Sequence, residues 1–281
     1  MTLSPTLTFN DGHTIPQLGY GVWQVEDGVA EKVVRQAFEA GFRHIDTARI
    51  YGNEAGVGRA IAGSGLTPDE IFITTKLWNA DQGYEPTLAA FEESLDRLGL
   101  EKLDLYLIHW MQPQQDKYVD TWRALIELQK RGRVKSIGVS NFTAKGIQRL
   151  IDETGVVPAI HQIELHPYFS QQELRDFGRE KGILTQAWSP LGQGGALLED
   201  PAVAAVAAKH HATPAQVVIA WHLAIGNVVI PKSVTESRIQ ENYAALDITF
   251  DEDDVQAINR LDRTAAGGGR IGPDPAVSDF A

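Results

Sequence analysis

Short apolar runs rich in β-branched residues recur along this chain, and longer amphipathic stretches separate them. That alternation constrains the fold more than any other feature. The runs lie at 18–21, 43–45, 71–75, 103–108, 136–139, 159–163, 183–187 and 227–230. The stretches between and after them carry helical spacing at 29–40, 53–62, 86–98, 119–131, 144–153, 171–181, 214–223, 236–245 and 251–261. Before the first run, residues 7–20 hold the turn signal Asn10-Asp11-Gly12 between two apolar pieces, which predicts a β-hairpin. Thr213-Pro214 reads as an N-cap followed by proline at the first helical position, and Gly41 and Gly182 stand where helices end. Repeated strand–helix units build parallel sheets. Eight of them in 281 residues predict class α/β, a (β/α)8 TIM barrel with an N-terminal β-hairpin and an extra C-terminal helix. No Pro/Ser linker interrupts the middle, so residues 1–281 are expected to form a single domain, with 265–281 as loop.

Composition narrows the setting. The formal charge is −12, from 25 basic and 37 acidic residues. Such a chain repels a polyanion on average, so no nucleic-acid partner is expected. Cysteine is absent, which removes disulfides and thiolate metal sites and fits a reducing cytoplasm. No apolar run approaches the roughly 18–20 residues of a membrane span. Residues 1–5 lack the basic and apolar segments of a secretory leader. No membrane partner is expected, and a cytoplasmic location is.

The strand runs end on residues that carry chemistry. The run 43–45 leads to Asp46, 71–75 to Lys76 and 103–108 to His109, while Tyr51 follows in the loop Asp46-Thr47-Ala48-Arg49-Ile50-Tyr51-Gly52. In a parallel barrel the C-terminal strand ends share one face, and that face holds the active site. These four side chains are therefore expected to meet. A free phenol has a pKa of about 10 and donates poorly at neutrality. A neighbouring ammonium lowers that value. Lys76 supplies the ammonium, Asp46 keeps it charged and oriented, and His109 fixes a substrate oxygen. Tyr51 then protonates the alkoxide as hydride arrives at carbon.

Asp46-Thr47-Ala48 and Tyr51-Gly52-Asn53-Glu54, with Lys76 and His109, resemble the catalytic tetrad of the aldo-keto reductases. Gly138-Val139-Ser140-Asn141-Phe142, Gln162-Ile163-Glu164-Leu165-His166-Pro167 and Ile230-Pro231-Lys232-Ser233 agree with that family, and the similarity runs over 6–270. The stretches 15–22 and 188–194 are most similar to the bacterial 2,5-diketo-D-gluconate reductases. The resemblance implies an NADPH-dependent reductase of aldehydes and ketones acting as a monomer. It implies that Ser140, Asn141 and Gln162 bind the carboxamide and that Trp188 stacks on the nicotinamide. Ser189, Leu191 and Gln193 would line the pyrophosphate. Lys232, Ser233, Val234 and Arg238 would hold the adenosine 2′-phosphate, with Glu241 and Asn242 near the adenine. Lys232 and Arg238 supply the positive charge a phosphate needs, which favours NADPH over NADH. Trp23, Trp78 and Trp110 follow strand runs and are expected to wall the substrate pocket, as aromatics do in relatives. The chain departs from the family at Met111-Gln112-Pro113, where relatives place proline directly after the tryptophan.

Other residues carry weaker signals. His161, Glu164 and His166 suggest a metal, but His161 and Glu164 fall on opposite faces of a strand, so no metal site is expected. Gly56-x-Gly58 follows no strand and fails as a dinucleotide fingerprint. Gly192-x-Gly194-Gly195 does follow a strand and reads as a loop near the pyrophosphate. His44 reads as a hydrogen-bonded barrel residue, and His210-His211 as a solvated pair. Two rival functions stand beside the reductase. One is a Schiff-base lyase or isomerase using Lys76 as the amine; the other is a non-catalytic nicotinamide-binding barrel.

Overall fold

The apolar runs pair edge to edge as parallel strands. In the computed structural model, which describes residues 2–280, they form one main sheet in which strands consecutive along the chain lie side by side. These strands are β3 (Tyr20–Gly21), β4 (His44–Asp46), β5 (Phe72–Leu77), β6 (Leu103–Ile108), β7 (Val134–Ser140), β8 (Ile160–Glu164), β9 (Leu184–Trp188) and β10 (Val228–Val229). Leu18 bridges Val229 in parallel, and Gly19 N donates to Val229 O at 2.8 Å, so the two edges meet and the sheet closes. Ahead of it, β1 (Thr6–Thr8) and β2 (Thr14–Pro16) form the expected antiparallel hairpin. Its Phe9 and Ile15 pack with Phe72, Leu105, Leu107 and Ile160. Leu105 and Leu107 point one way from β6, while Tyr106 and Ile108 join the cluster that carries the helices. The hairpin thus fills the barrel end opposite the strand C-termini.

Among the described residues, ten α-helices surround the sheet: α1 (Asp27–Ala40), α2 (Glu54–Ala62), α3 (Tyr84–Leu98), α4 (Tyr118–Lys130), α5 (Ala144–Thr154), α6 (Gln172–Glu180), α7 (Pro201–Lys209), α8 (Pro214–Ala224), α9 (Glu236–Tyr243) and α10 (Glu252–Asn259). Their ends carry the expected chemistry. Gly41 takes φ 112 at the end of α1, a conformation open to glycine but costly for other residues. Thr213 accepts from Gln216 N, and Gln216 reaches back to the Thr213 N–H, closing a capping box on α8. Helix α7 was not expected. Its sequence is apolar nearly all round and shows no clear helical stripe. The signal that announces it is Asp200-Pro201, an N-cap accepting from Ala202 N ahead of a proline at N1. Gly56 and Gly58 lie inside α2, and a Cβ on Gly58 would sit 2.6 Å from Leu98 O, so these glycines serve helix packing. No helix among the described residues is long and apolar enough to cross a membrane.

Candidate active site

Strand register places the expected residues. Asp46 pairs with Thr74 across β4 and β5, and Lys76 lies two residues further along, on the same face as Thr74. His109 follows β6, its N–H donating to Leu77 O at 3.2 Å. Tyr51 closes a 3-10 turn over Arg49–Tyr51. The residues after it stitch that loop down. Asn53 Oδ1 accepts from Thr47 Oγ1 at 2.7 Å, and Asn53 Nδ2 donates to Val22 O and Val25 O at 2.9 and 2.8 Å. Glu54 accepts from Thr75 Oγ1 at 2.6 Å and pairs with Arg97 at 2.7 Å. Asn53 thus ties the loop to the segments after β3 and β4, and Glu54 ties it to β5, which explains why Asn-Glu follows Tyr51-Gly52.

The four side chains come together. Lys76 Nζ lies 2.5 Å from Asp46 Oδ1, donates to Thr47 O at 2.9 Å, and stands 5.1 Å from the centre of the Tyr51 ring. Tyr51 and His109 meet edge to face with ring centres 5.8 Å apart. Lys76 is 0% exposed and Asp46 2%, so their ion pair is held out of water. Burial alone would lower the Lys76 ammonium, but Asp46 and the Tyr51 phenol outweigh it and hold the pKa above the ordinary lysine range. His109 is shifted the other way. Burial, with help from the Lys76 charge, pushes it well below the usual histidine value, so its ring is neutral. For Tyr51 the sequence-based expectation needs correction. Lys76 does pull the phenol down, but burial dominates and the net shift is upward.

The remaining predicted residues form two groups. Ser140 pairs in register with Gln162, and Gln162 Nε2 donates to Asp46 Oδ2 at 2.8 Å and to Gln186 Oε1 at 3.0 Å. Asn141, at φ 56, donates from Nδ2 to His109 O at 3.0 Å and to Ser140 Oγ at 3.1 Å, while its Oδ1 accepts from Trp188 Nε1 at 2.8 Å. Ser140, Asn141, Gln162 and Trp188 therefore share hydrogen bonds with the Asp46 and His109 segments. Beyond Trp188, Ser189 (φ 47) and Gln193 (φ 57) bracket half-buried Leu191 in a tight loop. The second group follows β10. Lys232, Val234 and Arg238 are exposed, and neither cation enters an ion pair among the described residues. Ser233 O accepts from the Tyr20 hydroxyl. Glu241 is tied to the start of α8, accepting from Thr213 Oγ1 at 2.6 Å, and Asn242 is buried on α9.

The three tryptophans separate. Trp78 stands 5.3 Å from His109, edge to face. Trp110 is buried, and Phe280 of the tail lies 5.0 Å from it and 6.0 Å from Trp78. Trp23 is 44% exposed and makes no ring pair among the described residues. The departure after His109 is packed: Met111 is buried, its N–H donates to Asn141 O at 3.3 Å, and its sulfur lies against Gly146. Phe280 was missed because a tail with Gly, Pro and Asp gives no periodic signal. The histidines also sort themselves. His161 Nε2 accepts from Phe142 N and His166 faces Glu164, so the suspected cluster divides. His210 corrects the solvated-pair reading: it is bound to Asp254 at 2.8 Å and stacked on Phe250. A cavity of about 610 Å³ is lined by Asn141, Glu164, Phe169, Trp188 and Arg270 among others, and by none of the four.

Comparison with known proteins points to one family. The profile of the aldo/keto reductase family matches residues 17–263. An aldo-keto reductase of Mycolicibacterium smegmatis is 52% identical over 278 residues, covering 99% of each chain. Methylglyoxal reductase DkgA of Escherichia coli is 48% identical over 274 residues, covering 97% of this chain and 98% of that protein. The crystal structure of a Gox0644 mutant in complex with NADPH superposes with a TM-score of 0.94 at 49% identity, covering 99% of this chain and 100% of that one. With the family profile spanning most of the sequence and relatives near half identity end to end, the chain belongs to the aldo/keto reductase family.

Proposed function

We propose that this chain reduces small aldehydes and ketones with NADPH, with Tyr51 as the proton donor and short dicarbonyls as the substrate class. The observation that carries the reading is the buried Lys76–Asp46 pair at 2.5 Å set beside the Tyr51 ring. When bound, NADPH supplies the hydride. The donor set fits that group. Ser140, Asn141 and Gln162 offer amide and hydroxyl partners for a carboxamide, and Trp188 offers an aromatic face. Lys232 and Arg238, exposed and unpaired among the described residues on a chain of charge −12, suit a phosphate monoester. Ser189, Leu191 and Gln193 would flank the pyrophosphate, and Ser233, Val234, Glu241 and Asn242 the adenosine.

Each nearby side chain has a part in moving the proton. Neutral His109 can donate a hydrogen bond to a carbonyl oxygen without carrying charge into the cleft. Tyr51, held protonated by burial, delivers its hydroxyl proton to the developing alkoxide, a far stronger base than phenolate. Lys76 stabilises the phenolate this leaves, and Asp46 keeps Lys76 charged. A raised lysine pKa argues against a Schiff-base role, which needs the free amine. Trp78 and Trp110 wall the substrate side. The name of the Escherichia coli relative points to methylglyoxal as a first substrate to try. The test is loss of NADPH absorbance across a panel of methylglyoxal, 2,5-diketo-D-gluconate and simple aldehydes, run on the monomer peak from gel filtration. Turnover of none of them, with no NADPH binding, sinks the reading.

A further inference from the structure

Glu164 and His166 are buried titratable groups that the proposed reaction does not use. Glu164 ends β8 and is 2% exposed; His166 is 1% exposed, its Nε2 lying 3.1 Å from Glu164 Oε1. No lysine or arginine pairs with this carboxylate among the described residues. Instead it accepts two consecutive backbone N–H groups from the C-terminal tail, Ile271 N on Oε1 at 2.6 Å and Gly272 N on Oε2 at 2.7 Å. Hydrogen bonds to an ionised carboxylate are short and directional, and one carboxylate gripping two successive amides sets the register of the segment that carries them.

That register meets Trp188. Glu164 and Trp188 are partners across β8 and β9. Gly272 lies along the benzo edge of the indole: a Cβ at 272 would stand 2.5 Å from Trp188 Cη2 and 3.1 Å from Glu164 Oε2. At its pyrrole side the indole is tied to Asn141 Oδ1 at 2.8 Å. The ring is therefore held between the tail on one edge and Asn141 on the other.

We propose that Glu164 is a positioning residue for the cofactor ring. By pinning Ile271 and Gly272 it seats the tail against Trp188 and sets the tilt of the indole that faces the nicotinamide. This rests on the NADPH reading above. A role in core stability alone would let a change at residue 272 shift the melting temperature without touching NADPH affinity, and that difference supplies the test. Gly272→Ala leaves Glu164 and His166 intact and pushes only on the indole and the carboxylate.

Two variants, Gly272→Ala and Glu164→Gln, are compared with the wild type by calorimetric titration with NADPH, steady-state kinetics and thermal melting. Hydrogen exchange is followed at Ile271 and Gly272. Gly272→Ala is expected to melt close to the wild type while binding NADPH about tenfold more weakly, as an overpacked contact does. Glu164→Gln, which turns an amide N–H towards one of the two tail donors, is expected to weaken NADPH in the same direction and to speed exchange at both tail amides. Wild-type NADPH affinity in Gly272→Ala overturns the proposal, as does a Glu164→Gln variant that loses melting temperature but keeps its affinity. If Glu164→Gln does not fold, Gly272→Ala decides alone. A wild type that binds no NADPH would instead refute the reaction on which the inference rests.

Discussion

At the scale of the residue, charge and burial oppose each other at Tyr51. Lys76 draws the phenol towards ionisation, yet desolvation of a ring packed against His109 and Lys76 wins, so the hydroxyl keeps its proton at neutral pH. On the proposed reading, the donor is consequently loaded before substrate arrives. Tyr51→Phe is expected to cut kcat by about 10²–10⁴-fold, the usual contribution of a positioned acid. NADPH affinity measured by titration should stay within error of the wild type. Lys76→Met does two kinds of damage. It removes the group that stabilises phenolate, and it strands Asp46, 2% exposed, as an unpaired buried charge. Breaking such a pair costs about 3–5 kcal/mol, which denaturant melts will show alongside lost turnover. A stable Lys76→Met with a normal pH–rate profile counts against the mechanism. On the proposed 2′-phosphate reading, Lys232→Met or Arg238→Ala should raise the KM for NADPH by about ten- to a hundredfold and leave the KM for NADH nearly unchanged. Equal effects on the two cofactors remove the 2′-phosphate assignment.

At the scale of the element, most of the fold was legible because its signals are local. Apolar runs became strands within a residue or two of their expected ends, since a strand buried on both faces draws mainly on apolar and β-branched residues. Caps were equally readable: Thr213-Pro214 and Gly41 stand where the chain turns into or out of a helix. The exception was α7, where Ala and Val cover nearly every side of the helix and only Asp200-Pro201 marks the start. Two changes test the element scale by denaturant melts. Thr213→Ala removes the cap of α8 and its bond to Glu241, and is expected to cost about 1 kcal/mol. Gly58→Ala should gain helix propensity but press a methyl 2.6 Å from Leu98 O, so the net effect is a loss of about 1–3 kcal/mol. A stabilised Gly58→Ala would mean that α2 and α3 can separate freely.

At the scale of the whole molecule, burying histidines sets a limit on acid stability. His44, His161 and His222 are each lowered to about 3 by burial, and His109 also lies well below its ordinary value. These rings are neutral in the fold, while in the unfolded chain they bind protons near pH 6.5. The stability they permit is therefore intact above about pH 6.5 and is lost as pH falls from there towards 3, by up to about 1.4 kcal/mol per pH unit for each ring. A steep drop in the denaturant midpoint between pH 7 and pH 5 is expected; a flat profile would show that the rings titrate in place. The sequence by itself determined the order of strands and helices, and it determined that Asp46, Tyr51, Lys76 and His109 share the barrel mouth. Both follow from local periodicity and from the rule that strand C-termini converge. Only the tertiary structure decided that burial outweighs Lys76 at Tyr51, that Trp78 and Trp110 meet Phe280 while Trp23 is left 44% exposed, and that Glu164 grips the tail. Desolvation depends on everything packed around a group. A contact across 107 positions depends on where the chain returns. Neither leaves a mark in the spacing of residues.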